Sequence, residues 1–249
     1  MNMESMKILL SLALSLAAGI AGAAEIRVLS SNAMREVLLE MAPTFEKASG
    51  HKLTMTFIGS ADILKRLRAG EKGVELVVLQ ISSIDEQIAE GRLVPGSRVD
   101  FARSLVGAAV RAGAPRPDIS SGEALKRTLL ASKSIVVSSG PSGIYMLGLF
   151  EKMGIPREKY RQAAPGVQTG ELVARGEAEL CFQQLSELLP VKGIEFLGPL
   201  SADVGHVTVF AGGIHAAAAE PQAARALMQY LASPAAAPVL RAKGMEPAQ

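Results

Sequence analysis

The 249-residue sequence has no tryptophan, and aromatic residues make up only 4% of it. A stacking platform for nucleic-acid bases or a ring-lined carbohydrate groove is therefore not expected. Cysteine occurs once, at Cys181, which excludes an intramolecular disulfide and a cysteine-rich zinc or iron–sulfur site. Its apolar neighbours Leu180 and Phe182 predict a buried, inert thiol. Charge of one sign is lacking too: 26 Lys and Arg stand against 24 Asp and Glu, a net charge of +2. That balance argues against a nucleic-acid binder, which would show a basic surplus. His51, His206 and His215 are scattered singly, with no partner at metal-ligand spacing, so no metal is expected. The Gly-Lys-Ser/Thr phosphate loop and the spaced-glycine dinucleotide fingerprint are both missing, and no cofactor is expected. The SGPSG segment does not make a nucleophile elbow, because the fifth position counted from Gly140 is Ile144 rather than glycine.

What is present is apolar and ordered. Hydrophobic residues are 49% of the chain, which excludes disorder. The length suits one large domain or two of roughly 100 residues. Residues 1–23 carry Lys7, an apolar run over 8–20 and the small residues Ala21, Gly22 and Ala23. That order predicts a secretory signal peptide, cut after Ala23 or Ala24. No later stretch is long and apolar enough for a bilayer span, so an exported protein that is not membrane-embedded is expected.

The remainder alternates strand and helix patterns. Strands are expected at 25–30, 52–58 and 74–79, the last a nearly continuous apolar run typical of a doubly buried strand. Helices are expected at 33–48, 62–69 and 83–90, closed by Gly50, Gly70 and Gly91. Pro43 is expected to bend or loosen the first of them. A second block opens with a strand at 105–111. It continues with a helix at 122–131, a strand at 134–138, a helix at 144–153 and a helical turn at 171–176. Strands follow at 180–183, 195–197 and 207–211, then helices at 221–231 and 234–241. The fold class is α/β, each block a mostly parallel sheet flanked by helices.

Four loops of small polar residues or glycine each precede a helix: Ser30-Ser31-Asn32, Gly59-Ser60, Ser139 through Gly143, and Val167 through Gly170. Such loops gather at the carboxyl ends of strands, where open α/β sheets bind ligands. Helix N-termini offer free N–H groups and partial positive charge, so several facing one cleft would hold an anion without lysine or arginine. The competing reading for each loop is simple N-capping. Glu187 and Asp62 are the acidic residues near the expected cleft.

With those loops in place the chain resembles the periplasmic molybdate-binding proteins of ABC uptake systems. The segments that carry the likeness are IRVLSSNAMREVLLEMAPTFEKASG, FIGSADILKRLRAG, GPSGIYMLGLFEKMGI and GEAELCFQQLSEL. The resemblance implies a two-lobed periplasmic-binding-protein fold with the ligand between the lobes. Lobe 1 would be 24–103 plus 207–249 and lobe 2 would be 104–206, with the hinge near 102–104 and 205–207. It implies a monomer in the periplasm, a small anionic ligand and an ABC permease as partner.

Carried over position by position, the first family serine falls on Ala33, beside Ser31 and Asn32, and the second falls on Ser60. Backbone donors fall on Ser142 and on Gly166 or Val167. The family tyrosine that reaches the oxyanion falls on Gln184, beside Gln183, and a third-strand Asp falls on Glu75. Asparagine and glutamine offer donors and acceptors together, which suits an organic polycarboxylate better than a tetrahedral oxyanion. The family's divergent branch includes aconitate isomerases. Two functions follow: capture of a small anion for uptake, or isomerisation of trans- and cis-aconitate on the same fold. The second needs a positioned acid/base, for which Tyr145, Glu187 and Lys65 are candidates. Tyr145 has a rival reading as a packing residue at a helix start.

Overall fold

The computed structural model describes residues 22–248. The expected signal peptide therefore lies, apart from its last two residues, outside the described residues. The first part of the fold is β1 (Glu25–Ser31), a 3-10 turn (Asn32–Met34), α1 (Arg35–Ser49), β2 (Lys52–Ile58), α2 (Ser60–Arg68), β3 (Leu76–Gln80) and α3 (Ile81–Ala89). The chain then forms β4 (Val99–Arg111), α4 (Gly122–Ala131), β5 (Ile135–Val137), α5 (Pro141–Met153) and β6 (Tyr160–Gln162). It continues as α6 (Thr169–Ala174), β7 (Leu180–Gln184), α7 (Leu185–Leu188), β8 (Ile194–Pro199) and β9 (Val207–Ile214). Helices α8 (Pro221–Leu231) and α9 (Ala237–Ala242) and strand β10 (Met245–Pro247) close the chain.

The strand order is β2-β1-β3-β9-β4-β7-β5-β6, with β8 and β10 also paired to β4. Strand β1 runs parallel to β2 and β3, and β5 runs parallel to β6 and β7. Strands β9 and β4, antiparallel to their neighbours, join these two parallel groups. The architecture is α/β with parallel strand groups flanked by helices, as the alternating pattern predicts, and two-lobed, as the resemblance implies.

Side-chain alternation decides what each face packs. In the first lobe Ile26, Val28, Leu76 and Val78 point to one face, where Val37, Leu38, Met41 and Phe45 of α1 and Leu227 and Met228 of α8 cover them. Leu29, Val77 and Leu79 point to the other, under Ile63 and Leu67 of α2 and Ile84 of α3. The second lobe repeats the device. Ile135, Val137, Leu180 and Phe182 meet α4 and α5, while Val136 and Cys181 meet α6 and α7. A period of two on every central strand places apolar side chains on both faces, so helices must cover both. Burial pushes the Cys181 thiol up to about 12, which keeps it protonated.

One local expectation needs correction. The strand expected to begin at 105 begins at Val99. Asp100 and Arg103 break the apolar run in the sequence, and the pairing with β9 shifts register between Asp100 and Ala102. The 13-residue strand pairs with β9 along its first half and with β7 and β8 along its second. Pro43 lies inside α1, which runs from Arg35 through Ser49, on its exposed side. There the missing N–H costs one intrahelical bond but no buried polar group. The left-handed cap at Gly50 is as expected, with φ 76°. Among the described residues no helix is long and apolar enough to cross a membrane.

Candidate functional site

The carboxyl ends of β1, β2, β5 and β7 open onto one cleft between the lobes. Ser31, Asn32, Ala33, Gly59 and Ser60 line its first-lobe side. Ser138, Ser139, Gly140, Pro141, Gly166, Val167, Gln183, Gln184 and Glu187 line the other, and Phe210 of β9 completes it. The empty space among these residues is about 360 Å³, counting the part open to solvent. Asn32 and Glu187 also line an adjoining outer chamber whose walls include Arg35, Gln168 and Lys192. No lysine or arginine is among the lining residues of the inner cleft, where Glu187 is the sole ionisable side chain.

The polar groups of the cleft come from backbone turns and short side chains. Helices α2 and α5 begin at Gly59 and Gly140, neither of which has a side chain to cap them; in α5, Pro141 has no N–H and the Gly143 amide is taken by Ser138 Oγ, so α2 offers the freer first-turn donors. Only the 3-10 turn after β1 is capped, Ser31 Oγ accepting from the Ala33 amide at 3.4 Å. Ser60 Oγ donates to Ser31 Oγ at 3.4 Å, a long contact that leaves both hydroxyls available to a better partner. Simple capping thus accounts for one of the four loops.

The wall between β5 and α5 is held by Ser138. Its Oγ accepts from the Gly143 amide at 3.1 Å and lies 2.9 Å from Ser142 Oγ. The Ser142 hydroxyl is thereby turned into the wall, and Ser142 does not line the cleft. A Cβ at Gly143 would lie 1.6 Å from the Ser138 carbonyl oxygen, so only glycine allows this approach. At the cleft edge the lobes touch: a Cβ at Gly59 would lie 2.9 Å from the Gly166 nitrogen.

A buried amide network surrounds Glu187. The Thr169 N–H and hydroxyl donate to Gln183 Oε1 at 2.9 and 2.7 Å. Gln183 Nε2 donates to Glu187 Oε1 and to Gln168 Oε1, both at 2.9 Å. Burial drives the Glu187 carboxyl up to about 7, against hydrogen bonds from Gln183, Gln168 and the Gln184 backbone that pull it down. Gln184 Nε2 donates to Thr208 Oγ1 of β9 at 2.8 Å, while its buried Oε1 has no partner.

Of the ten residues singled out from sequence, Ser31, Asn32, Ser60, Val167, Gln183, Gln184 and Glu187 are brought together on this cleft. Ser142, Tyr145 and Lys65 are not. Tyr145 donates its hydroxyl to the Val204 carbonyl at 2.9 Å and stacks on His206 at 4.4 Å, which is the packing reading. Lys65 is exposed on α2. Asp62 lines a separate pocket with Arg35 and Arg175 at the cleft mouth. Glu75 is buried on the first lobe, accepting from the Arg27 amide at 2.7 Å. Sequence reading passed over Ser138, the anchor of the α5 turn, and Thr208. The first ends a β-branched run as Ser31 does, a usable signal, whereas Thr208 is reached only through strand pairing.

Removing the Ser60 hydroxyl should weaken ligand binding about fivefold, the worth of one hydrogen bond near 1 kcal/mol, with little loss of stability. Calorimetric titration of Ser60→Ala with whichever anion stabilises the parent protein checks this, and unchanged affinity takes Ser60 out of the site.

Residues 26–246 match the family model for bacterial extracellular solute-binding proteins. An aconitate isomerase of Pseudomonas sp is 39% identical over 228 residues, covering 88% of this chain and 87% of its own. A molybdate-binding protein of Azotobacter vinelandii is 27% identical over 98% of each chain. The solved periplasmic molybdate-binding protein of Azotobacter vinelandii superposes with a TM-score of 0.73 at 20% identity, over 90% of this chain and all of the other.

Proposed function

The chain belongs to the bacterial extracellular solute-binding protein family, and from that premise we propose that it is an exported protein whose cleft takes a small polycarboxylate and interconverts trans- and cis-aconitate. The lobes are proposed to divide at 24–103 plus 207–249 and 104–206. The observation that carries the reading is Glu187, a carboxyl facing an otherwise uncharged cleft and held near a pKa of about 7. Holding an ionised glutamate there costs the fold stability. A general base works best with a pKa close to the ambient pH.

The reaction needs one such group and no oxidant. The Glu187 carboxylate takes a proton from the substrate methylene, and the electron pair spreads over the allylic unit into an adjoining carboxylate. The same carboxyl returns the proton to the far end of that unit, and the double bond forms at its new place. Ser31, Ser60 and the first-turn amides of α2 stabilise the growing negative charge. The outer chamber shared through Asn32 and Glu187 gives a second carboxylate somewhere to extend, beside Arg35 and Lys192. The 39% identity to an aconitate isomerase supports the same reading.

The second reading is capture without chemistry, for delivery to an ABC permease. It is favoured by the family and by the neutral donors of the inner wall. One experiment separates the two. The mature protein is screened by thermal shift against molybdate, tungstate, sulfate, citrate, cis-aconitate and trans-aconitate, then incubated with trans-aconitate and followed by chromatography. Native-state ligands raise the melting temperature. Stabilisation by the aconitates with conversion to the cis isomer is expected. Stabilisation without conversion above the uncatalysed rate leaves only capture, and a response to molybdate alone overturns the polycarboxylate reading.

A further inference from the structure

We propose that Thr169 and Gln183 are positioning residues that lock one edge of the Gln183 amide against the Glu187 carboxyl. The proposal rests on the reading above for the chemistry it serves, but its geometry is independent of that reading. An amide side chain can sit either way round, and here both ends are constrained. The Thr169 N–H and hydroxyl are both donors and both meet Gln183 Oε1, at 2.9 and 2.7 Å. Glu187 Oε1 and Gln168 Oε1 are both acceptors and both meet Gln183 Nε2 at 2.9 Å. Turning the amide over would set the Gln183 NH2 against the Thr169 N–H and the Gln183 oxygen against the ionised Glu187 carboxylate, the two contacts whose sense is fixed. Thr169 is 0% and Gln183 2% exposed, so water cannot repair a mismatch.

The chain brings these groups together economically. Gln183 ends β7, Glu187 lies four residues on in α7, and Thr169 opens α6, which packs beside β7. The charged groups that share the outer chamber with Glu187 are Arg35 and Glu36 of α1, Glu171 of α6 and Lys192 after α7. None of them is hydrogen-bonded to its carboxyl among the described residues, whose partners there are neutral amides. A donor held on the carboxylate favours its charged form. Loosening that donor therefore raises the pH at which Glu187 gives up its proton.

The test removes only the threonine hydroxyl. Thr169→Val keeps shape and the backbone N–H, and Thr169→Ser keeps the hydroxyl. Carbon-13 NMR titration of the glutamate carboxyls reads Glu187 directly, its signal assigned by its loss in Glu187→Gln. The Thr169→Val midpoint is expected about 0.5–1 pH unit above the parent, part of what a charge-assisted hydrogen bond is worth, and Thr169→Ser at the parent value. If Thr169→Val does not fold, Thr169→Ala replaces it. The acid limb of kcat/KM for trans-aconitate should move by the same amount. A Thr169→Val midpoint equal to the parent's, or a Thr169→Ser shift as large as the valine's, overturns the positioning role. Should the parent fail to isomerise trans-aconitate while the midpoints move as expected, the reaction falls and the positioning stands.

Discussion

Glu187→Gln is expected to lose at least a hundredfold in turnover of trans-aconitate and to melt roughly 4–8 °C higher than the parent at pH 8. The first effect follows from removing the only ionisable group on the inner cleft. The second follows from linkage. The folded carboxyl is raised from its ordinary 4.5 to about 7. Protonated in both folded and unfolded chains below pH 4.5, it costs nothing there. As the pH rises toward 7 the unfolded chain ionises freely while the folded one resists, and stability falls. Above 7 the full burden is present, about 2 kcal/mol once the partial exposure to the cleft is allowed for. Glutamine imitates the neutral acid and still accepts from Gln183 through its carbonyl. The two proteins should therefore melt together at pH 4.5 and separate as the pH rises. Calorimetric scans at the two pH values, with a chromatographic assay, check both halves. A variant that retains activity within tenfold, or is less stable than the parent at pH 8, contradicts the role given to Glu187.

Gly143→Ala should be the most damaging single methyl group in the second lobe. The added carbon would overlap the Ser138 carbonyl oxygen at 1.6 Å and its carbon at 2.5 Å, both of them backbone. Neither can swing aside, so the start of α5 must lift away from the end of β5. The Gly143 N–H bond to Ser138 Oγ breaks, and the cleft loses the wall that includes Ser139 and Gly140. We expect a loss of about 3 kcal/mol, near 6–12 °C in melting temperature, and no further rise on adding ligand. Gly148→Ala is the control. It lies in the same helix with nothing within 4 Å of the added carbon. There alanine should stabilise by up to about 1 kcal/mol, because glycine is the poorer helix former. Circular-dichroism melts of both variants decide the matter, and equal behaviour would mean the Ser138 contact relaxes at no cost.

Much of this fold is legible in the residue pattern, for a physical reason. Strands such as β2 and helices such as α4 and α8 are bounded by sharp composition changes, and their limits follow directly from the sequence. Elements with weak boundaries are not legible. Strand β6 is three largely polar residues, α7 is a single turn, and the first half of β4 is masked by Asp100 and Arg103. Seven of the ten expected site residues gather on one cleft because strand ends and helix starts converge in an α/β sheet whatever the ligand. The other three miss it for local reasons. Tyr145 is one turn too far along α5 and packs on His206, Lys65 lies on the solvent side of α2, and Ser142, expected as a backbone donor, sits just past the 139–141 stretch that lines the cleft. Which of three candidates carries the acid/base role is not a property of spacing. The proposed assignment to Glu187 depends on which side chain the fold places on the cleft without a counter-charge, and that is visible only in three dimensions.

The approach of Gly59 to Gly166 also fixes how wide the molecule can stand when shut. A single methyl at residue 59 would be a wedge driven against the opposite backbone. The lobes could then rest together only after giving ground. Glycine there acts as the setting of an aperture, and any larger residue would force apart two backbones that both line the cleft.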